Sequence, residues 1–184
     1  MSRVKPTAAD SPCVGCGLCC DGTLFSRAKV RLGEQKRLSA LGFSFFPQGD
    51  ADWFSQPCVA ATEGRCAIYA ARPHTCRAYS CALLDKVDAG GVPPIEARAT
   101  IARAFVLIER AAAHHPEARN HASRKELRAA LAAKLLGAPA SERQAIANRL
   151  LAIIALDTFL DTHFRRPEGK ADGDSPDADE PMPN

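Results

Sequence analysis

The pattern of apolar and polar positions divides the chain into two halves. Beyond Pro94, apolar residues recur every three or four positions, which is the period of an amphipathic helix. This pattern predicts three helices. The first covers about residues 95–113, ends near Pro116 and carries a stripe of four apolar residues, Ile101, Phe105, Ile108 and Ala112.

Capping patterns predict where the other two helices begin. Ser123 and Glu126 form a capping box, in which each side chain satisfies a backbone N–H of the first turn. This second helix ends at Gly137 and carries Leu127, Leu131 and Leu135. The third helix starts after Pro139 with a second box, Ser141-Glu142-Arg143-Gln144, and runs to about Phe164. Its stripe contains Ile146, Leu150, Ile153 and Ile154. We interpret all three stripes as core, with a docking face for a protein partner as the alternative.

The first half of the chain has no sustained helical period. Residues 11–91 are rich in glycine, proline, cysteine and aromatic residues, a composition typical of an irregular fold organised by a ligand. We therefore divide the chain into an N-terminal extension at 1–12, a cysteine-cluster region at 13–91, a three-helix region at 94–165 and an acidic tail at 166–184. The expected fold is mainly α, with an irregular, metal-organised, cysteine-rich N-terminal region and a small α-helical C-terminal region.

The distribution of charge affects the interpretation only at the C-terminal tail. The whole chain has a net charge of +3, yet its last 18 residues contain six carboxylates and only one lysine, Lys170. Four prolines and almost no large apolar residue accompany these charges, so the tail cannot bury enough surface to offset the entropy of ordering. We predict that it is disordered, as a solubilising terminus or as a tail for a protein partner.

The cysteine count carries most of the chemical information. All eight cysteines of the 184 residues lie between positions 13 and 81. The N-terminus contains no apolar run that would indicate a secretory signal. No apolar stretch approaches the roughly 20 residues needed to span a bilayer. We expect a cytoplasmic protein without a membrane partner. In a reducing compartment, such a set of cysteines indicates metal or catalytic chemistry rather than disulfides.

The first four cysteines have ligand spacing. Cys13, Cys16 and Cys19 follow one another in two C-x2-C steps, and Cys20 comes next. A C-x2-C turn can place two thiolates on one metal ion, and Gly15 and Gly17 allow the chain to turn tightly around it. Four buried cysteines acting as small hydrophobic residues would be unusual in so glycine-rich a stretch.

The second group comprises Cys58, Cys66, Cys76 and Cys81. Pro73 fits the first position of a short helix that contains Cys76. On one unbroken helix, Cys76 and Cys81 would point about 140° apart, too far for one metal ion. Either the helix breaks near Ser80 or the two cysteines serve different sites. The side chains of the consecutive Cys19 and Cys20 also leave the backbone in different directions. The Cys76–Cys81 and Cys19–Cys20 pairs therefore favour more than one ion or a multinuclear cluster.

Arginines are available to balance the charge of the thiolates. Four thiolates on one divalent ion leave a net charge of −2, which is costly to bury without cations nearby. Arg65, Arg72 and Arg77 lie within the second group, and we assign Arg72 and Arg77 to the surroundings of the metal. His74 is expected at the surface or behind the ligands.

These residues together resemble a known family. The run Cys13-x2-Cys16-Gly17-x-Cys19-Cys20, then Cys58, then Cys66-x-Ile68-Tyr69-x2-Arg72-Pro73-x2-Cys76-Arg77 is similar to the YkgJ-type cysteine-cluster family, CxxCxxCC, a zinc- or iron-chelating domain. The resemblance covers about residues 13–81 and implies a bacterial metal-binding protein. A related cluster in flagellin lysine methylases resembles an iron–sulfur site. After Cys58, Val59 and Ala60 stand where the family more often has a proline-led segment.

Spacing alone leaves zinc and iron–sulfur clusters both open, since each takes four cysteines per site. The consecutive cysteines and the likeness to the methylase cluster favour iron. The leading function is a metal-binding module with all eight cysteines as ligands. An enzyme that uses the cluster for redox or group-transfer chemistry is the alternative, with Tyr69 and Tyr79 as candidate acid–base groups.

Nucleic-acid binding is the third class considered. A basic stretch next to several phenylalanines could contact phosphates and stack on bases. The basic residues are Arg27, Lys29, Arg31, Lys36 and Arg37, and the aromatic ones are Phe25, Phe43, Phe45 and Phe46. The more common explanation is one solvated helix face, and no zinc-finger spacing accompanies the stretch. We therefore place nucleic acid below the other two classes.

Overall fold

The computed structural model describes residues 11–166 of the chain. It is mainly α, as the sequence predicts. Its helices are α1 (Gln35–Ser39), α2 (His74–Ala78), α3 (Ala82–Asp88), α4 (Pro94–Ala112), α5 (His121–Gly137) and α6 (Ala140–His163). None of these helices is long and apolar enough to cross a bilayer within the described residues. The predicted tail at 166–184 and extension at 1–12 fall almost wholly outside this part of the chain.

The three predicted helices of the second half are confirmed, with α4 and α5 both packed against α6. Leu131 of α5 and Ile153 of α6 are buried between them. The apolar stripe of α4 differs from the predicted one, because Phe105 remains 37% exposed. Small side chains let the helix approach its neighbours more closely. The buried face of α4 consists of Ala97, Ala104, Leu107, Ile108, Ala111 and Ala112.

Both predicted capping boxes are wrong. The side chain of Asn120 accepts a hydrogen bond from the N–H of Ala122 at 2.9 Å, so α5 begins two residues before Ser123. Asparagine is among the strongest N-cap residues, and it precedes the predicted serine. At α6, Pro139 occupies the cap position without a side-chain hydrogen bond, and Ser141 already lies inside the first turn.

The first half contains two small sheets that the sequence did not predict. Their strands are β1 (Arg27–Val30), β2 (Phe46–Gln48), β3 (Ala51–Ser55), β4 (Ala61–Thr62) and β5 (Arg65–Cys66). The first sheet is antiparallel in the order β1-β3-β2, and β4 and β5 form a separate pair. The basic stretch is therefore not one helix face, because its first part is a strand and its second part lies at α1.

Two hydrophobic cores divide the molecule. The larger joins the long helices to Leu18 and Leu24, which flank the last two cysteines of the first group. The smaller core lies between the first sheet and α1 and contains Val30, Leu38, Phe43, Phe54 and Ala60. The cysteine-rich segment therefore contacts both cores, and this contact positions the candidate site.

Candidate metal centre

The first cysteine group lies on a tightly turned loop, residues 13–20. The N–H of Cys16 bonds to the carbonyl of Cys13 at 3.2 Å, and the N–H of Cys20 bonds to that of Gly17 at 2.7 Å. Between these turns, Leu18 is fully buried in the larger core. This anchor holds the loop against the helices and leaves its sulfurs at the surface of the core.

Two glycines bring the loop into backbone contact with the turn between β4 and β5. Gly17 has φ +69°, and a Cβ there would lie 2.8 Å from the Cα of Gly64. A Cβ on Gly64, at φ +73°, would lie 2.8 Å from the carbonyl oxygen of Gly15. Only residues without a side chain permit this approach. It brings Cys66 of β5 to the neighbourhood of the loop.

The other cysteines arrive from separate elements. The N–H of Cys58 donates to the carbonyl of Cys20 at 2.8 Å. Cys76 lies on α2, which ends at Ala78, and Cys81 is the N-cap of α3, where its sulfur accepts from the N–H of Leu84 at 3.5 Å. Of the two alternatives left open by the sequence, the structure has the helix break near Ser80, since α2 ends before it and Cys81 caps a separate helix.

The cysteine-bearing loop contacts the elements that carry the other four cysteines at several points, and none of the eight forms a disulfide. Cys13 is exposed and the others are partly buried. Burial is the main reason why the pKa of Cys16 and that of Cys76 rise to about 12. Within residues 11–166, no three histidine, cysteine, aspartate or glutamate side chains stand close enough together to hold one ion.

Cys19 and Cys20 form the closest thiol contact, with 3.6 Å between their sulfurs. A hydrogen bond between them raises the pKa of Cys19 and lowers the pKa of Cys20, and burial raises the first further. Consecutive residues can make this contact because Gly17 tightens the preceding turn. Both of these thiols are predicted metal ligands, and they share one hydrogen bond.

Of the predicted arginines, Arg72 faces the thiols. Its guanidinium carbon lies 3.8 Å above the ring of Tyr69, and its Nε donates to the carbonyl of Tyr69 at 3.0 Å. Its charge partly offsets the effect of burial on the pKa of Cys13 and of Cys76. Arg77 is exposed and donates to the carbonyl of Arg72 at 2.7 Å, so it supports Arg72 from behind.

The remaining candidates lie around the edge of the site. Tyr69 is 57% exposed, and the ring of Tyr79 packs edge-on against Phe25 with 5.1 Å between centroids. The backbone N–H of His74 donates to the carboxylate of Glu34 at 3.0 Å. Among the aromatic residues of the basic stretch, Phe43 is buried in the smaller core. Nucleic-acid binding stays a prediction.

A cleft of about 420 Å³ opens beside Cys16. Of its lining residues, the sequence predicts no role for Asp21 or Glu63 and assigns Phe105 to the helix core. Asp21 follows the cysteine run directly, and its position could have suggested it. Glu63 lies in the turn before Gly64, and Phe105 comes from α4, so neither has a local signal.

Comparison with known proteins agrees with the cysteine pattern of the sequence. No curated protein and no solved structure matches the chain. A family model named CxxCxxCC, described as a "putative zinc- or iron-chelating domain", matches residues 12–100. That range contains every cysteine, both arginines assigned to the metal and the start of α4. Residues 12–100 therefore resemble the CxxCxxCC family, as the cysteine pattern implied.

Proposed function

We propose that this chain is a metal-binding protein that holds iron or zinc through the thiolates of its eight cysteines. The observation that carries the proposal is the convergence of cysteines from separate elements. Cysteines from the loop 13–20, the segment before β4, helix α2 and the cap of α3 pack against the two cores, strand β5 carries a further cysteine, and none of them forms a disulfide. Eight thiols are a suitable donor set for either metal.

The protonation of the thiols supports the same proposal. Burial and neighbouring thiols raise the pKa of most of them, including Cys16 and Cys76 at about 12. So many buried sulfurs cannot all be negative without a cation among them. A bound metal would displace these protons and supply the missing positive charge, while Arg72 would offset part of the remaining negative charge.

The metal would also stabilise the fold around it. The smaller core contains only five buried apolar residues, which is little for the segment between the loop and α3. A structural metal site contributes on the order of 10 kcal/mol, comparable to the whole stability of a small domain. We therefore infer that the metal organises residues 13–81, whereas the three long helices rely on burial.

Iron in iron–sulfur clusters is the form we propose, with zinc as the alternative outcome. Purification without oxygen, followed by visible absorbance and by assays of iron, zinc and sulfide, distinguishes the two. Brown protein with iron and inorganic sulfide supports iron–sulfur clusters. Colourless protein with zinc supports structural zinc sites instead. Protein with neither metal would contradict the proposed function.

Chelation tests the organising role. Metal removal is expected to change the near-ultraviolet signal of Trp53, which lies on β3. The guanidinium carbon of Arg27 lies over its ring, 5.0 Å from the centroid. The far-ultraviolet signal of the long helices should change less. An unchanged near-ultraviolet spectrum with full solubility would show that residues 13–81 fold without metal.

The cleft beside Cys16 supports a second candidate function, an enzyme that uses the cluster. Its walls contain a cysteine, two carboxylates and the ring of Phe105, which could surround a small molecule next to the metal. Redox chemistry requires a centre that changes oxidation state. Reversible bleaching of the visible absorbance by dithionite supports this candidate. A colourless zinc protein would exclude a redox enzyme.

A further inference from the structure

The eight cysteines do not share one environment. Cys16, Cys19 and Cys81 pack against the larger core, next to the long helices. Cys58 and Cys76 pack against the smaller core, next to the first sheet. Two separate bodies of apolar side chains thus support two groups of sulfurs, and each group combines residues from distant parts of the sequence.

Backbone geometry extends the first group to Cys13. The N–H of Cys16 bonds to the carbonyl of Cys13 at 3.2 Å, so the two residues share one tight turn. Cys19 follows on the same loop, and Cys16, Cys19 and Cys81 contact the same core.

The second group extends to Cys66 in the same way. The N–H of Ala61 bonds to the carbonyl of Cys58 at 2.9 Å, and Ala61 pairs with Cys66 across the two strands. Cys66 therefore lies beside Cys58, which packs against the same core as Cys76.

Backbone geometry assigns Cys20 to the second group. Its carbonyl accepts the hydrogen bond from the N–H of Cys58, and the antiparallel pair β4–β5 places Cys66 opposite Ala61, three residues after Cys58. The two groups meet where the sulfurs of Cys19 and Cys20 lie 3.6 Å apart. The boundary between them therefore passes between two consecutive residues.

We propose that the eight cysteines form two adjacent four-thiolate sites. The first consists of Cys13, Cys16, Cys19 and Cys81, and the second consists of Cys20, Cys58, Cys66 and Cys76. This partition rests on the metal-binding function proposed above. It means that Cys76 and Cys81, only five residues apart, serve different sites, whereas Cys16 and Cys81, at opposite ends of the segment, serve the same one.

Double substitutions test the partition through metal content per chain. The singles Cys76→Ser and Cys81→Ser should each retain about half of the wild-type metal, since one complete site remains. The pair Cys16→Ser with Cys81→Ser should retain as much as the single Cys81→Ser. The pair Cys76→Ser with Cys81→Ser should retain almost none.

The opposite pattern overturns the partition. If the Cys76 and Cys81 pair retains as much metal as either single, those two cysteines share a site. If each single already loses all metal, the eight sulfurs hold one indivisible cluster. Wild-type protein without metal would argue against the proposed function itself, so the two failures are distinguishable.

A measurement on the wild-type chain covers the case in which the variants fail to fold. Metal is withdrawn stepwise from the purified protein with a chelator, the exposed thiols are alkylated with iodoacetamide, and peptides are analysed by mass spectrometry. Tryptic cleavage after Arg77 separates Cys76 from Cys81. Cys81 should become reactive together with Cys16, and Cys76 together with Cys66. Simultaneous reaction of Cys76 and Cys81, apart from Cys16, would overturn the proposal.

Discussion

The Nε of Arg124 donates to Oδ1 of Asp157 at 2.8 Å, in the interior between α5 and α6. Arg124 is fully buried, and its Nη2 also donates to the carbonyl of Thr23 at 2.6 Å. Thr23 follows the cysteine loop by three residues. One guanidinium thus joins two long helices to the segment that carries the first cysteine group, and the ion pair fixes its position.

Asp157→Asn should destabilise the protein by on the order of 3 kcal/mol, because it leaves the charge of Arg124 buried beside a neutral amide. Chemical denaturation of the metal-loaded protein, followed by the helical circular dichroism, measures this loss. Asp161→Asn is the matched control. Asp161 pairs with Arg165, which lies two residues beyond the end of α6, but Asp161 is largely exposed, so its change should be much smaller. Equal effects of both substitutions would contradict the role of the buried pair.

The same pair should affect metal retention. Arg124→Met removes the hydrogen bond to Thr23 and should therefore accelerate the release of metal to a chelator. Glu109→Gln, which breaks an exposed ion pair with Arg119, should leave the release rate unchanged. If Arg124→Met lowers stability without changing the release rate, the helices and the cysteine loop are not coupled through this residue.

Gly17→Ala should reduce metal content more than Gly15→Ala does. Both glycines have positive φ, so both substitutions carry a backbone strain of about 1 kcal/mol. At Gly17 the new methyl group would also collide with the backbone of Gly64, whereas at Gly15 nothing lies within 4 Å. Metal analysis of the two purified variants compares them. Equal metal contents would mean that the contact between the loop and the β4–β5 turn does not hold the site together.

Arg72→Gln should weaken metal binding about tenfold, since a positive charge beside a negatively charged site contributes on the order of 1–2 kcal/mol. Arg72→Lys keeps the charge and should retain most of the affinity. Arg65→Gln is the control, because Arg65 belongs to the same cysteine motif but is exposed. Competition with a chromophoric chelator measures all three affinities. Equal losses for Arg65→Gln and Arg72→Gln would indicate only a general effect of net charge.

Local signals in the sequence predicted the helices well and their starts poorly. The 3.6-residue period located α4, α5 and α6, and Gly137 and Phe164 lie at the predicted ends of α5 and α6. The start of α5 was missed because Asn120 competes with Ser123 for the cap, and nothing in the pattern ranks them. Strand β1 alternates charged and apolar residues over only four positions, too short a run to distinguish from a helix face.

The candidate site was predicted by composition but not by arrangement. The sequence predicts all eight cysteines as ligands, and of its two alternatives for Cys76 and Cys81 the structure has the helix break between them. The close approach of Gly17 and Gly64 depends on the fold of the β4–β5 pair, which the sequence did not reveal. Likewise, the contact of Arg124 with Thr23 spans 101 positions. Such long-range contacts leave no local pattern.

The surroundings of His121 predict how stability depends on pH. Burial lowers the pKa of its imidazole, and the charges of Arg165 and Arg124 lower it further, against the weaker opposing effect of Asp157 and Asp161. Nδ1 of His121 lies 2.8 Å from Nη2 of Arg165, which favours the neutral ring as the acceptor. The folded protein therefore resists protonation at this position more than the unfolded chain does.

As the pH falls through 6.5, the ordinary pKa of histidine, the unfolded chain takes up a proton that the folded protein does not. The free energy of unfolding should therefore decrease until the pH reaches the lowered pKa of the folded state. His121→Gln preserves an acceptor for Arg165 and should flatten this part of the pH profile, whereas His114→Gln, at an exposed position, should not. Because both variants keep every cysteine, the contribution of the metal to the pH dependence cancels in the comparison. Parallel profiles for His121→Gln and the wild-type protein would exclude His121 as the titrating group.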